Sequence, residues 1–166
     1  MATAKSKQNR DLTWGKILDA ASVEFSQKGF AGARVDAIAH SAGVNKATIY
    51  YHIGDKKALY SAVLHRVFSS VAEEMASRIE AVQGPREKLE QYVRTIAELI
   101  QRTPLLPPMM LRELASAGES WPKVVVKDFA RIFQLLSGIL IQGQEQGLFR
   151  KVSTLAIHFS VLGPLL

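Results

Sequence analysis

The sequence contains no cysteine. That excludes disulfides, thiolate catalysis and cysteine-ligated zinc, and it fits a reducing compartment, the cytoplasm. No apolar run reaches the roughly 18 residues needed to cross a bilayer, so no membrane partner is expected. The N-terminal stretch "MATAKSKQNRD" lacks an apolar core and does not read as a secretory signal. Asn-Gly and Asp-Gly pairs are absent and apolar–polar alternation is poor, so nothing signals β-hairpins. The four histidines have no metal-ligand spacing with one another or with nearby carboxylates, and no metal is expected. No Ser-His-Asp order, HExxH, glycine-rich phosphate loop or paired carboxylates emerges, so neither an enzyme nor a cofactor is expected. Glu113 is the one carboxylate inside an apolar helical stretch ("LRELAS"), and it is expected to pair with Arg112 or another cation.

What is present is 166 residues, enough for one domain or two small ones. The formal net charge of +6 is uneven. Residues 1–60 carry nine Lys/Arg against five Asp/Glu, a net +4, whereas residues 61–166 carry twelve against ten, a net +2. The basic first third suits a polyanionic partner.

Helical spacing recurs almost everywhere. The first helix is expected over about 13–28, with Ile17, Leu18, Ala21 and Phe25 as its stripe and Gly29 ending it. Two short helices follow, over about 35–42 and 45–52, stopped by Gly43 and Gly54. Asp55 is placed to cap a much longer fourth helix, with apolar residues every four positions: Leu59, Val63, Val67, Val71, Met75 and Ile79. It runs to about residue 83, and Pro85 opens a fifth helix on Leu89, Tyr92 or Val93, Ile96, and Leu99 or Ile100. A sixth helix follows "TPLLPP" and continues to about residue 117; "GESWP" is a linker. The seventh, over about 123–146, is apolar on more than one side, as for a central bundle helix. Ser153 or Thr154 caps an eighth, "LAIHFSVLGPLL". The expected fold class is all-α: an N-terminal three-helix unit over 1–54, then a helical ligand-binding and dimerisation bundle over 55–166.

The stretch "VDAIAHSAGVNKATIYYHI" carries the chemistry. Ala39 is small where two helices would cross closely. Gly43 sits where the chain must turn, and Val44 and Ile49 face inward to lock the second short helix on the first. This spacing is that of a helix-turn-helix. A DNA-reading unit would put the outer face of 45–52 into the major groove, with Asn45 at its start. Lys46 can donate to guanine O6 or N7, and Ala47 and Thr48 can pack on a thymine methyl. Tyr50 can use its ring there or its hydroxyl on a phosphate. Tyr51 and His52 lie nearer the DNA backbone. Lys56, at a helix N-terminus, suits a phosphate. Three neighbouring rings cannot all face one core, so one of Tyr50 and Tyr51 is expected to close the small core and the other to face DNA. His40 is expected to be exposed, and His65 and His158 to belong to the bundle.

The segment "ILDAASVEFSQKGFAGARVDAIAHSAGVNKATIYYHIGDKKALYSAVL" resembles the DNA-binding domain of the TetR family of bacterial transcription regulators. The marks are "ILDAA…F…GF", "IAHSAGVNKATIYYHI" and "DKKAL"; the remaining two-thirds resemble the family only in plan. The resemblance implies a homodimer that binds a near-palindromic double-stranded DNA operator and is released by a small ligand, most often as a repressor. The family often has a small hydroxyl residue near the start of the second helix; here Ala33 and Arg34 stand there, and Arg34 could reach a phosphate itself. Ile53 replaces a frequent Phe. The family's dimer uses its last two helices, so an apolar "SVLGPLL" end is expected to continue into a longer protein.

A pocket for a small apolar or aromatic effector is expected inside the bundle. Its candidate lining is Met75, Ile79, Leu99, Met109, Met110, Phe129, Phe133 and Leu136, with the adaptable methionines suited to varied apolar ligands. The rival reading is a helical adaptor that binds protein without DNA sequence specificity; the basic N-terminal unit argues against it.

Overall fold

The structure is a computed structural model that describes residues 2–115 and 122–165, with side chains over 10–111 and 122–165. The described residues form eight α-helices and a closing 3-10 turn, with no strand among them. The expected all-α class holds. No described helix is long and apolar enough to cross a membrane. The side chain of Glu113, the helical end at 116–117, most of "GESWP" and Leu166 lie outside the described residues.

The chain divides into two compact units. One comprises residues 1–64 and the segment that starts at Pro108; the other comprises residues 65–107 and the C-terminal segment.

In the first unit, helix α1 spans Ala2–Gly32, broken within by Gly29 at φ 67° and ψ 178°. It starts far earlier than the apolar stripe predicts. Residues 2–12 have no stripe, but Ala, Lys, Gln and Arg there are good helix formers with no breaker among them. Ile17, Leu18, Ala21 and Phe25 are buried as expected. Helix α2 spans Val35–Ala42 and buries Val35, Ile38 and Ala39. Gly43 adopts the left-handed conformation, φ 66°, so that the N–H groups of Gly43 and Val44 can return to the carbonyls of His40 and Ala39, at 3.1 and 3.0 Å. Helix α3, Lys46–Ile53, starts where the Asn45 side chain accepts the Ala47 N–H at 2.9 Å. It buries only Ile49.

Helix α4 spans Lys56–Glu80, capped by Asp55 Oδ1 accepting from Ala58 N at 2.7 Å, and it ends about a turn before the expected position. Two adjacent rows on it are buried. One is the expected Leu59, Val63, Val71, Met75 and Ile79; the other is Tyr60, Leu64, Phe68 and Ala72. In the first unit, Phe25 packs edge-on against Tyr60 at 4.8 Å between ring centres, and Phe30 lies 5.2 Å from the same ring.

In the second unit, α5 spans Pro85–Arg102 with Pro85 in its first turn, and buries Tyr92 rather than Val93. Helix α6 spans Leu106–Ala115, and from Pro108 onward it belongs to the first unit. Helix α7, Lys123–Glu145, packs against both α5 and α8, the central place its two-sided apolar pattern predicts. Gly143 lets the Phe149 ring approach to where a Cβ would meet it at 2.0 Å. Helix α8 spans Thr154–Leu162, with Ser153 Oγ accepting from Ala156 N at 3.4 Å. Arg78 bridges Glu74 of α4 and Glu98 of α5, both at 2.7 Å, and Arg102 reaches the same Glu74 at 3.0 Å. On the surface such pairs contribute little singly; shared carboxylates make this a network.

Candidate nucleic-acid interface and the aromatic centre of the bundle

Helix α3 has two turns, and its one buried side chain fixes its rotation. With Ile49 inward, Lys46, Ala47 and Tyr50 lie on exposed surface beside the Asn45 cap, while Thr48 is half-buried. Tyr51 is 86% exposed and Tyr50 43% exposed. Neither closes the core, contrary to the sequence expectation for one of the pair. The ring that does so is Tyr60, at 2%. The reason is geometric: α3 offers one inward position per pair of turns and Ile49 takes it, so the aromatic ring is supplied from the first turns of α4. His52 is exposed and sits edge-on to Tyr51 at 5.1 Å. His40 is exposed, as expected.

The cations of this face are not free. Lys46 Nζ lies 2.7 Å from Asp36 Oδ1, and Asp36 Oδ2 lies 4.0 Å from Arg34 Nη2. The Lys46 hydrogen bond holds the Asp36 carboxyl below the usual carboxylate range, and the same bond raises the lysine, so both stay charged. Lys46 also lies 5.8 Å from the centre of the Tyr50 ring. Arg34 is the N-cap of α2 without a side-chain cap bond; its backbone N–H donates to Glu24 Oε1 at 3.1 Å instead. Lys56 Nζ donates to the Ala31 carbonyl at 3.0 Å, near the end of α1, and lies 5.1 Å from the Phe30 ring centre. An ammonium at a helix C-terminal end is favoured by the local dipole.

The eight candidate effector residues are divided between the units. Met109 and Met110 belong to the first; Met75, Ile79, Leu99, Phe129, Phe133 and Leu136 belong to the second. Met75 and Leu136 are wholly enclosed, whereas Phe129 and Phe133 are half-buried. These two phenylalanines line an open groove of about 450 Å³ with Val126, Ala130, Gln134, Ser137 and Leu155.

Sequence reasoning missed what lies behind them. His158 of α8, 2% exposed, is ringed by Phe129 at 5.3 Å, Phe133 at 5.4 Å and Phe159 at 5.9 Å between ring centres. Its Nδ1 is hydrogen-bonded to the Tyr92 hydroxyl of α5. Burial keeps the Tyr92 phenol protonated and pushes the His158 imidazole below its ordinary value, so both are neutral. The Tyr92 hydroxyl and Nδ1 share one hydrogen bond between neutral groups, and Nε2 has no hydrogen-bond partner among the described residues. His65 belongs to the bundle as expected, where it is exposed and pairs with Asp128 of α7 at 2.6 Å. No spacing could signal the pairing of Tyr92 with His158, 66 positions apart, or of His65 with Asp128, 63 apart. No three metal-capable side chains cluster among the described residues.

Known proteins are similar to this chain over both units. Residues 17–63 match the bacterial regulatory proteins of the tetR family. The HTH-type transcriptional repressor NicS of Pseudomonas putida is 30% identical over 156 residues, 89% of this chain and 71% of that repressor. Further curated relatives are matched over 42–50% of their own length, so the chain spans about half of them. The crystal structure of HlyIIR, a hemolysin II transcriptional regulator, superimposes with a TM-score of 0.78 at 27% identity, covering 93% of this chain and 88% of that one. FadR of Bacillus subtilis, solved in complex with stearoyl-CoA, shares the fold with a TM-score of 0.77 at 21% identity over 92% and 82% of the two chains. The family match, a relative matched over 71% of its length and the capped helix-turn-helix agree: the chain belongs to the TetR family of bacterial transcription regulators, which are not enzymes.

Proposed function

We propose that this regulator is a cytoplasmic repressor. It binds a near-palindromic operator as a homodimer and is released by a small apolar or aromatic effector. The observation that carries the reading is the outer face of α3. A two-turn helix exposes Lys46, Tyr50, Tyr51 and His52 together, with Ile49 alone anchoring it. Residues 1–54 are the reading head, and residues 55–166 hold effector and partner. Lys46, Ala47, Thr48 and Tyr50 would meet base edges; Arg34, Asn45, Tyr51, His52 and Lys56 would hold phosphates and set register.

A dimer is supported by apolar side chains left exposed on α7 and α8, namely Val126, Ile141, Leu155 and Phe159. Two reading heads one helical turn apart, about 34–36 Å, fit a twofold operator. An apolar effector is supported by the groove floored by Phe129 and Phe133 and by the stearoyl-CoA held by the FadR neighbour. An effector that prefers the DNA-incompetent state by about 1–3 kcal/mol would weaken operator binding roughly 5–150-fold.

Separate Lys46→Ala and Lys56→Ala variants test the division of labour. Lys46→Ala should relax base preference at one operator position by about tenfold. Lys56→Ala should weaken selected and random duplexes alike. Selection of bound duplexes from a random pool, followed by titration, reads both. Identical consequences from the two changes would refute the assignment.

A further inference from the structure

Asp36 is the only acidic residue between positions 35 and 53, the two helices of the DNA-reading motif. An acid on a face that must approach phosphates opposes every encounter. In the first turn of α2 it gains from the helix dipole, but any acid in that turn would. What distinguishes Asp36 is its reach. It spans from α2 to the first residue of α3, with Lys46 Nζ at 2.7 Å and Arg34 Nη2 at 4.0 Å on its two oxygens.

We propose that Asp36 is a positioning residue for sequence selectivity, holding the Lys46 ammonium on the recognition helix and away from passing phosphates. The proposal rests on the DNA-reading role of α2 and α3. A lysine is a compact point charge on a flexible four-carbon stem, and unheld it turns to the nearest phosphate. Here one of its three donors is committed to Asp36, and the ammonium sits 5.8 Å from the centre of the Tyr50 ring. Two donors remain, directed from a fixed point. Asp36 thereby lowers affinity for any sequence and raises the ratio between right and wrong ones.

The test titrates wild type, Asp36→Asn and Asp36→Glu against a duplex selected from a random pool and against a random duplex of equal length, over a salt series. One more lysine released to phosphate adds about 0.9 to the slope of log K against log salt, and about fivefold to affinity near 0.15 M. Asp36→Asn is therefore expected to bind the random duplex about fivefold more tightly with the steeper slope. The selected duplex should gain less, so the selectivity ratio falls; Asp36→Glu should restore much of it. In a Lys46→Ala background Asp36→Asn should leave the slope unchanged. An equal loss of affinity for both duplexes, or the same slope change without Lys46, overturns the proposal. Wild-type protein that fails to distinguish the two duplexes would instead overturn the DNA-reading role beneath it.

Discussion

Tyr60→Ala is expected to destabilise the N-terminal unit by about 3–5 kcal/mol, the usual consequence of removing a fully buried large ring. The ring is 2% exposed, and it packs on Phe25 and Phe30 at 4.8 and 5.2 Å. The unit is small, so its melting temperature should fall by roughly 12–40 °C and operator binding should be lost with the fold. Tyr51→Ala is the matched control. Its ring is 86% exposed, so stability should change by less than about 0.5 kcal/mol while DNA affinity drops. Circular-dichroism melts of the two variants read the difference. A stable Tyr60→Ala protein, or a Tyr51→Ala protein that melts early, would mean the core ring has been assigned to the wrong tyrosine.

The second large effect lies at Tyr92. Tyr92→Ala removes a wholly enclosed ring and should lower bundle stability by about 3–5 kcal/mol. Tyr92→Phe keeps the ring and removes only the hydroxyl. It should still cost about 1–3 kcal/mol, because His158 Nδ1 is left buried without its hydrogen-bond partner. The pair also gives the bundle an acid sensitivity. His158 is held below its ordinary value near 6.5 by burial, so the unfolded chain takes up a proton before the folded one does. Its contribution is complete above about pH 6.5 and is lost as pH falls through the lowered folded value. Urea melts between pH 5 and 8 should show stability falling on the acid side, with that fall reduced in His158→Phe. An unaltered acid profile in His158→Phe would show that other groups carry it.

The parts legible in the sequence were those with local causes. Gly43 has to turn left-handed, Asp55 and one of Ser153 and Thr154 have to cap, and Pro85 has to open a helix; each does so, while Asn45, read as the first residue of the third helix, turns out to be its cap. A four-residue repeat of apolar side chains located α4. It concealed the adjoining row of Tyr60, Leu64, Phe68 and Ala72, which is buried as well. The core ring comes from that second row, and not from Tyr50 or Tyr51, two helical positions too exposed to supply it. The start of α1 escaped because a helix without an apolar stripe leaves no period to read. The ion pair between Asp36 and Lys46 and the contact of Tyr92 with His158 are tertiary, ten and 66 positions apart, and no spacing encodes them. Family resemblance reached the reading head with specificity and the bundle only in outline. The head is recognised by tight geometric demands, whereas an apolar helix row in the bundle serves a core and a pocket equally well.

The central claim is that α2 and α3 read a DNA sequence. The most direct measurement is the affinity of the wild-type protein for a duplex selected from a random pool, compared with a random duplex, as salt is raised from about 50 to 200 mM. The claim predicts binding at least about 10³-fold tighter to the selected duplex at physiological salt, with log K falling steeply and linearly against log salt on both. Equal affinity for the two duplexes, or binding indifferent to salt, would contradict it.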